Sequence, residues 1–377
     1  MQIAVYFFVT RIILWNFASV IKTNIMRGTI RLLLMTLLVM SCSEDGVKTG
    51  HGVDYQYGRN LSHEKIVLGS RLENPYKTEN MRNALKALYP TKADRVDLQT
   101  TDLYVRFLPA DDSEYDALVA AGVELVDHPL DYDILVEGDW YHDPQVPEDQ
   151  ITWQYAVVPH DFVFPEMEYE IIDECHISDN ATGTRTEEGI DWEAVERESY
   201  VLTGNSAMIS EPLTKVGAKV KPSGRITIVD RHANGSKPFG VAGVKVMCNS
   251  FVKFSTAYTD RDGYYTIPKQ FSSDLRYRLV FKNEKGFGVG MNLILLPASV
   301  STLGKSSPEG VTMTITEESD EKLFRRCAVN NAAYDYFTRC APEDMGIAAP
   351  PSDLRIWLFH DLGASSAIML HHGALMS

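Results

Sequence analysis

The sequence predicts a mixed fold: an α+β N-terminal domain, an all-β sandwich after it, and a short α/β segment that the chain leaves incomplete. Three observations predict it. Residues 78–108 carry apolar residues at helical spacing and then in alternation. From 224 to 283, short alternating runs are separated by turn residues at the intervals of an all-β domain. Past residue 318 the helical spacing returns and is followed by one apolar strand. The 377 residues, 45% apolar and 23% charged, are enough for two or three domains with cores of their own.

A formal net charge of −15 argues against nucleic acid as a partner, because binders of phosphate backbones present a basic stripe. The charge is concentrated. From Phe107 to Thr184, 78 residues contain no Lys or Arg but 20 Asp and Glu. The 51 acidic residues of the chain less these 20 leave 31, against 36 basic ones, so the net negative charge lies in that one segment.

Residues 1–42 read as a signal segment. The run MRGTIRLLLMTLLVMSCSEDG has a basic start (Arg27, Arg31), an apolar core from Leu32 to Met40 and a small residue, Ser41, before Cys42. Its apolar part is too short for a bilayer core of about 30 Å. The preceding MQIAVYFFVTRIILWNFASVIKTNI is also apolar and has a transmembrane helix as its alternative reading. Initiation at Met26 is preferred, because the segment from there is a complete export signal. Ser41-Cys42 resembles the lipobox of bacterial lipoproteins, in which the thiol is acylated and becomes the new N-terminus. SEDG after it looks like the signal that sends some Bacteroidetes lipoproteins to the cell surface. The resemblance implies lipidation at Cys42, a membrane reached through a lipid anchor without a spanning helix, and an outer-membrane, surface-exposed location. The alternative is a buried free thiol after an ordinary signal peptide.

Residues 43–60 have the composition of a tether. The acidic α+β domain follows, at 61–180. TENMRNALKALYP puts Thr78 at a helix N-cap and Met81, Leu85 and Leu88 on one face, ending before Pro90. DLYVRFLP alternates as a strand, DDSEYDALVAAG is a short helix closed by Gly122, and VELVDH is expected as a second strand, giving a βαβ-like unit. Asp131, Asp133, Asp143 and Asp149 then form a candidate acidic face for a basic partner. They could also collect around Ca²⁺, which favours several oxygen ligands, although their spacing matches no calcium loop. His128 and His142 are candidate ligands too, with hydrogen-bonded loop histidines as the alternative.

Residues 181–222 read as a linker with one helix, in which Trp192, Val195 and Leu202 share a face and Gly204-Asn205 is the stop. Residues 223–317 give the β-sandwich: Gly224 to Val229, VAGVKVMC, KFSTAYTD, YYTIP and RYRLVFKN in order. Gly224-Arg225-Ile226, Pro238 to Val246, and TDRDGYY from Thr259 resemble the carboxypeptidase regulatory-like domain, a transthyretin-like sandwich. The resemblance spans about a quarter of the chain and implies a structural or interaction module. Asp260, Asp262 and Gly263 begin like an EF-hand loop, but its twelfth position is Phe271 where Glu is required. The expected structure is a tight turn with Asp side chains on backbone N–H groups and Gly263 at positive φ.

Residues 318–377 complete the division. EKLFRRCAVNNAAYDYFTRC is helical with Leu323, Phe324 and Cys327 together, PPSDLRIWLFHD is a strand, and LGASSAIMLHHG is loop-like. Cys175, Cys248, Cys327 and Cys340 are expected as buried thiols, since four scattered cysteines make no disulfide framework. Cys327 and Cys340 are too far apart to bridge if one straight helix carries both.

The metal candidates here are His360, His371 and His372, but adjacent histidines cannot both enter one site from a regular helix. The arrangement of GSRLENPYKTENMRNAL, LYVRFLP, YHDP, WQYAVVP and DLRIWLFHDLG resembles Bacteroidetes lipoproteins, whose longer members continue into a His-Glu-x-x-His zinc site of metallopeptidases. That motif is absent from this sequence: His63-Glu64 lacks the second histidine. P-loop and nucleophile-elbow motifs are absent as well, and Ser365 and Ser366 near His360 have no placed acid. No catalytic residue is assigned. The first functional reading is a lipid-anchored, non-catalytic binding or structural module of the envelope, without cofactor, meeting a protein or glycan partner. The alternative is a truncated zinc metallopeptidase whose catalytic domain is missing.

Overall fold

The first elements of the computed structural model are strand β1 (Val67–Arg71), helix α1 (Thr78–Leu88), strand β2 (Asp102–Leu108), helix α2 (Asp112–Ala120), strands β3 (Tyr132–Val136), β4 (Gln154–Pro159) and β5 (Glu168–Cys175), and helix α3 (Trp192–Leu202). The structure describes residues 65–180, 189–209, 219–290, 298–340, 350–351 and 354–358, with the strands Val5–Phe8, Met369–His371 and Ala374–Met376. Together these make a mixed α+β fold, as the sequence predicts.

The strands of the acidic layer pair antiparallel. β1 pairs with β3, and β2 lies between β4 and β5. The expected βαβ-like unit is therefore replaced. VELVDH does not form a strand; Val126 alone bridges Tyr155, and the chain reaches its second and third strands only after the acidic loop. The physical reason is burial. Leu103, Val105 and Phe107 of β2 bury one face against Leu118, Val123, Ala156 and Val158, so β4 supplies the apolar neighbours that VELVDH was expected to supply.

The helices begin and end on local chemistry. Asp111 caps α2 by accepting from the N–H groups of Ser113 and Glu114, and Gly122 takes φ 81° just past its end. Asp191 caps α3 in the same way. At α1 the expectation needs correction: Thr78 sits in the first turn and its hydroxyl donates to Glu174 O, while Lys77 is the capping position without a side-chain cap. Leu88 and Leu202 are exposed; the buried faces are Met81, Ala84 and Leu85 on α1 and Val195 and Tyr200 on α3. Val195 packs with Met81 and Leu85, so the helix read as part of a linker adds to the core of the acidic layer.

The C-terminal half has strands β6 (Ser223–Val229), β7 (Phe239–Gly240), β8 (Lys245–Ser250), β9 (Lys253–Tyr258), β10 (Tyr264–Thr266), β11 (Leu275–Val280), β12 (Gly288–Val289), β13 (Val300–Ser306) and β14 (Met313–Thr316), then helix α4 (Glu321–Arg339) and strand β15 (Arg355–Leu358). One sheet has the order β9-β8-β11-β13. A second has β10-β6-β14, with β7 on β6. The turn before β10 forms as expected: Asp260 Oδ1 accepts from the N–H groups of Asp262 and Tyr264, and Gly263 has φ 84°. A Cβ at Gly263 would lie 2.1 Å from Ile226 O, so only glycine fits this turn.

Helix α4 is fixed to the sheets by asparagine. Asn330 donates to Ala242 O and accepts from Asn283, while Asn331 accepts from Ala242 N–H and donates to Gly240 O. β15 runs parallel to β12, so the strand predicted from DLRIWLFHD joins this half of the molecule. Cys175, Cys248, Cys327 and Cys340 are free and buried. Burial pushes the Cys248 thiol up to about 12 and raises those of Cys175 and Cys327 as well, which keeps them unreactive.

His63–Leu358 is one compact unit. A second, drawn from Met1–Ser62 and Phe359–Ser377, is described by three strands: Val5–Phe8 runs parallel to Met369–His371, which pairs antiparallel with Ala374–Met376. The loop expected at LGASSAIMLHHG is therefore a strand at Met369–His371, where pairing provides backbone partners that the local sequence does not reveal.

Candidate functional site

Alternation along β8 and β11 sets a basic face. The register pairs Lys245 with Val280, Met247 with Arg278 and Asn249 with Arg276, so Lys245, Arg276 and Arg278 project from the same side of the sheet. The acidic layer covers that side. Glu124 accepts from Lys245 Nζ at 2.8 and 2.9 Å, and Glu137 accepts from Arg276 Nε at 3.1 Å. Asp139 accepts from Arg326 at 2.9 Å, from Lys322 at 2.7 Å and from Thr302 N–H at 3.2 Å. The segment without Lys or Arg thus meets its basic partner inside the same chain. Tyr104, Tyr155 and Leu130 of the acidic layer pack into one cluster with Met247, Phe251 and Val252 of the β-rich half.

Between the turn after α2 and the sheet lies a cleft of about 260 Å³. Glu124, Asp127, His128, Lys245, Arg278 and Lys282 line it, against a wall that includes Val119, Val280 and Val300. His128 forms a relay in it. Its Nδ1 is 2.7 Å from Asp127 Oδ1 and its Nε2 is 2.9 Å from Arg278 Nη2. A guanidinium has no acceptor, so Nε2 accepts and Nδ1–H donates to Asp127, which assigns a neutral ring. Burial, and then the Arg278 charge, hold the His128 pKa below its ordinary value. Burial also lowers Arg278, and burial with the neighbouring Lys245 charge lowers Lys282.

The relay has a pH signature. The unfolded chain takes up a proton near pH 6.5 and the folded ring does so only at lower pH, so this stabilisation is present above about pH 6.5 and is lost as pH falls through the depressed value. His176, also buried and lowered, has the same sign. The wild-type Tm is expected to fall between about pH 7 and about pH 5. His128→Gln should flatten that slope in a melting series, and an unchanged slope would refute the relay.

A second polar cluster is buried beneath α3. Lys253 Nζ lies 2.8 Å from Asp179 Oδ2 and 3.3 Å from Glu196 Oε2, and Lys219 Nζ lies 3.2 Å from the same Glu196 oxygen. Tyr76 donates to Glu196 Oε1 at 2.6 Å, and Tyr200 joins Tyr76 to Ser250. The cluster fixes α3 to β8 and β9.

The four aspartates proposed from sequence do not converge. Asp131 is buried at 2% exposure, where it accepts from Arg71 Nε at 2.6 Å and from the Tyr104 hydroxyl at 3.1 Å. Asp143 accepts from Gln145 N–H in its own turn, and Asp133 and Asp149 are exposed. Asp131 therefore serves the interior and not an acidic face. His142 faces the carbonyls of Asp143 and Gln150 and closes its loop. Among the described residues no three His, Cys, Asp or Glu are grouped as a metal site, and no helix is long and apolar enough to cross a membrane. Cys42, His360 and His372 lie outside the described residues, as does the side chain of His371.

Sequence reasoning missed Lys245, Arg278, Lys282 and Lys253. The available signal was a cation at alternating positions of otherwise apolar strands, in VKVMC and RYRLVFK, from a chain whose acidic segment has no cation of its own. No protein family, curated protein or solved structure was found that matches this chain.

Proposed function

We propose that this chain is an exported, lipid-anchored and non-catalytic module of the cell envelope, in which the acidic layer and a regulatory-like β-sandwich form one structural and binding unit. The observation that carries the reading is the covered basic face: Glu124, Glu137 and Asp139 hold Lys245, Arg276 and Arg326 across the two halves. Ion pairs of this kind position surfaces more than they stabilise them, which suits a spacer or a binding platform. The strand order of residues 223–316 and the Asp260 turn support the resemblance to the carboxypeptidase regulatory-like domain. The Ser41-Cys42 junction supports the anchor.

The test is metabolic labelling with a fatty acid. Label should enter the wild-type chain, which should partition with outer membranes, be open to added protease on intact cells and retain a specific protein or glycan partner from the envelope. Cys42→Ala should lose both label and membrane. An unlabelled, soluble wild-type chain would overturn the anchor, and an ectodomain that binds no envelope fraction would overturn the binding role.

A further inference from the structure

One of the three cations that line the cleft lacks a contact partner. Each carboxylate that lines it is satisfied: Glu124 by Lys245, Asp127 by His128 and the Tyr141 N–H, and Asp139 by Arg326, Lys322 and Thr302. Arg278 has its counter-charge, Asp127, through the neutral His128 ring, and its other contact is the Asn249 amide at 3.5 Å. The Lys282 ammonium is in hydrogen-bond or ion-pair contact with no group among the described residues; Asp116 and Glu124 attract it from a distance, but burial and the Lys245 charge outweigh them. Placing an ammonium without a contact partner in such a site is costly unless an anion joins it.

We propose that the cleft is a binding site for a small organic carboxylate, with the carboxylate held by Lys282 and spare N–H groups of Arg278 and a short apolar body against Val119, Val280 and Val300. The volume of about 260 Å³ sits just below the roughly 300–1,000 Å³ of sites for drug-sized ligands, so the bound group is small. The apolar wall selects a carboxylate with a hydrocarbon tail over a bare oxyanion, because the tail removes apolar surface from water. Arg278 offers a planar fork of donors, of which His128 and Asn249 occupy two nitrogens.

The test is calorimetric titration of the intact chain with hexanoate, with inorganic phosphate and hexanol as separate arms. Saturable binding of hexanoate is expected in the micromolar to millimolar range, at least about tenfold tighter than either phosphate or hexanol, a difference of 1.4 kcal/mol. Lys282→Met should weaken hexanoate by about tenfold or more, and Lys282→Arg should keep most of it. Without ligand, Lys282→Met should melt at or above the wild-type temperature, because a cation without a contact partner is removed; this reading separates lost binding from lost folding. No saturable hexanoate binding, equal binding of phosphate, or unchanged binding by a folded Lys282→Met would each overturn the assignment.

Discussion

Replacing Lys253 with Met is expected to lower the unfolding free energy by about 3–5 kcal/mol, a fall of roughly 6–12 °C in Tm. Lys253 is fully buried, with Asp179 and Glu196 as its counter-ions and the Phe271 ring 5.1 Å away. Removing it leaves two carboxylates with Lys219 as their remaining ammonium partner in the cluster, and Glu196 is itself nearly inaccessible. The loss should be partly reversed by removing the stranded charge. The double variant Lys253→Met with Glu196→Gln is expected to be about 1–2 kcal/mol more stable than additivity allows. Denaturant titration of the wild type, both single variants and the double one checks this, and strict additivity would show that the buried pair is not coupled.

The same cluster carries an acid sensitivity. Burial raises the Asp179 pKa, but Lys253 and Lys219 outweigh it and hold the carboxyl below its ordinary value. Stability from this group is present above an unfolded value near pH 3.9 and is lost as pH falls through the folded one. Lys253→Met should therefore also reduce the steepness of acid unfolding.

Asp139→Ala is expected to cost about 2–4 kcal/mol. One carboxylate holds Arg326 and Lys322 of α4 and the backbone of β13, so its removal breaks hydrogen bonds to three groups and leaves Arg326, among the described residues, with Val300 O and Ser301 Oγ. Arg326 is nearly buried, which makes its lost partner more costly than a surface pair of about 0–1 kcal/mol. Asp133→Ala on the exposed strand β3 is the control, with a change within about 0.5 kcal/mol. Equal effects at the two aspartates would refute the role given to Asp139.

Much of the fold is legible in the sequence because its signals are local. Gly122 and Gly204 stop helices α2 and α3, and Asp260 with Gly263 makes the turn before β10, as the sequence predicts; the one N-cap predicted from the sequence, Thr78, lies inside α1, and the caps Asp111 and Asp191 are not singled out by it. VELVDH misleads because alternation also suits a segment that packs without a ladder; Val123 and Val126 are buried in clusters while β4 takes the sheet position. The strand at Met369–His371 pairs with its neighbour Ala374–Met376 and with the distant Val5–Phe8, and the second of these partners is one that no local pattern reveals.

The site is less legible for a related reason. Glu124 and Lys245 are 121 residues apart, and His128 and Arg278 are 150 apart, so their pairing follows from the register of β8 with β11 and from the docking of the acidic layer. Composition shows that a basic partner is needed for the segment from Phe107 to Thr184. It does not show that the partner is another part of the same chain. Asp131 illustrates the same point: beside Tyr132 and Asp133 it looks like a surface carboxylate, yet Arg71 and the Tyr104 hydroxyl hold it inside.

The acidic layer and the β-rich half fold as one unit across their ion-paired interface. Hydrogen exchange read by mass spectrometry over a denaturant series tests it directly, by following amides of β2 and of β11 in the same sample. The expected result is one midpoint and one denaturant dependence for both strands, with Glu124→Lys lowering the two together. Separate midpoints, with β11 still protected after β2 has exchanged, would show that the two halves unfold independently.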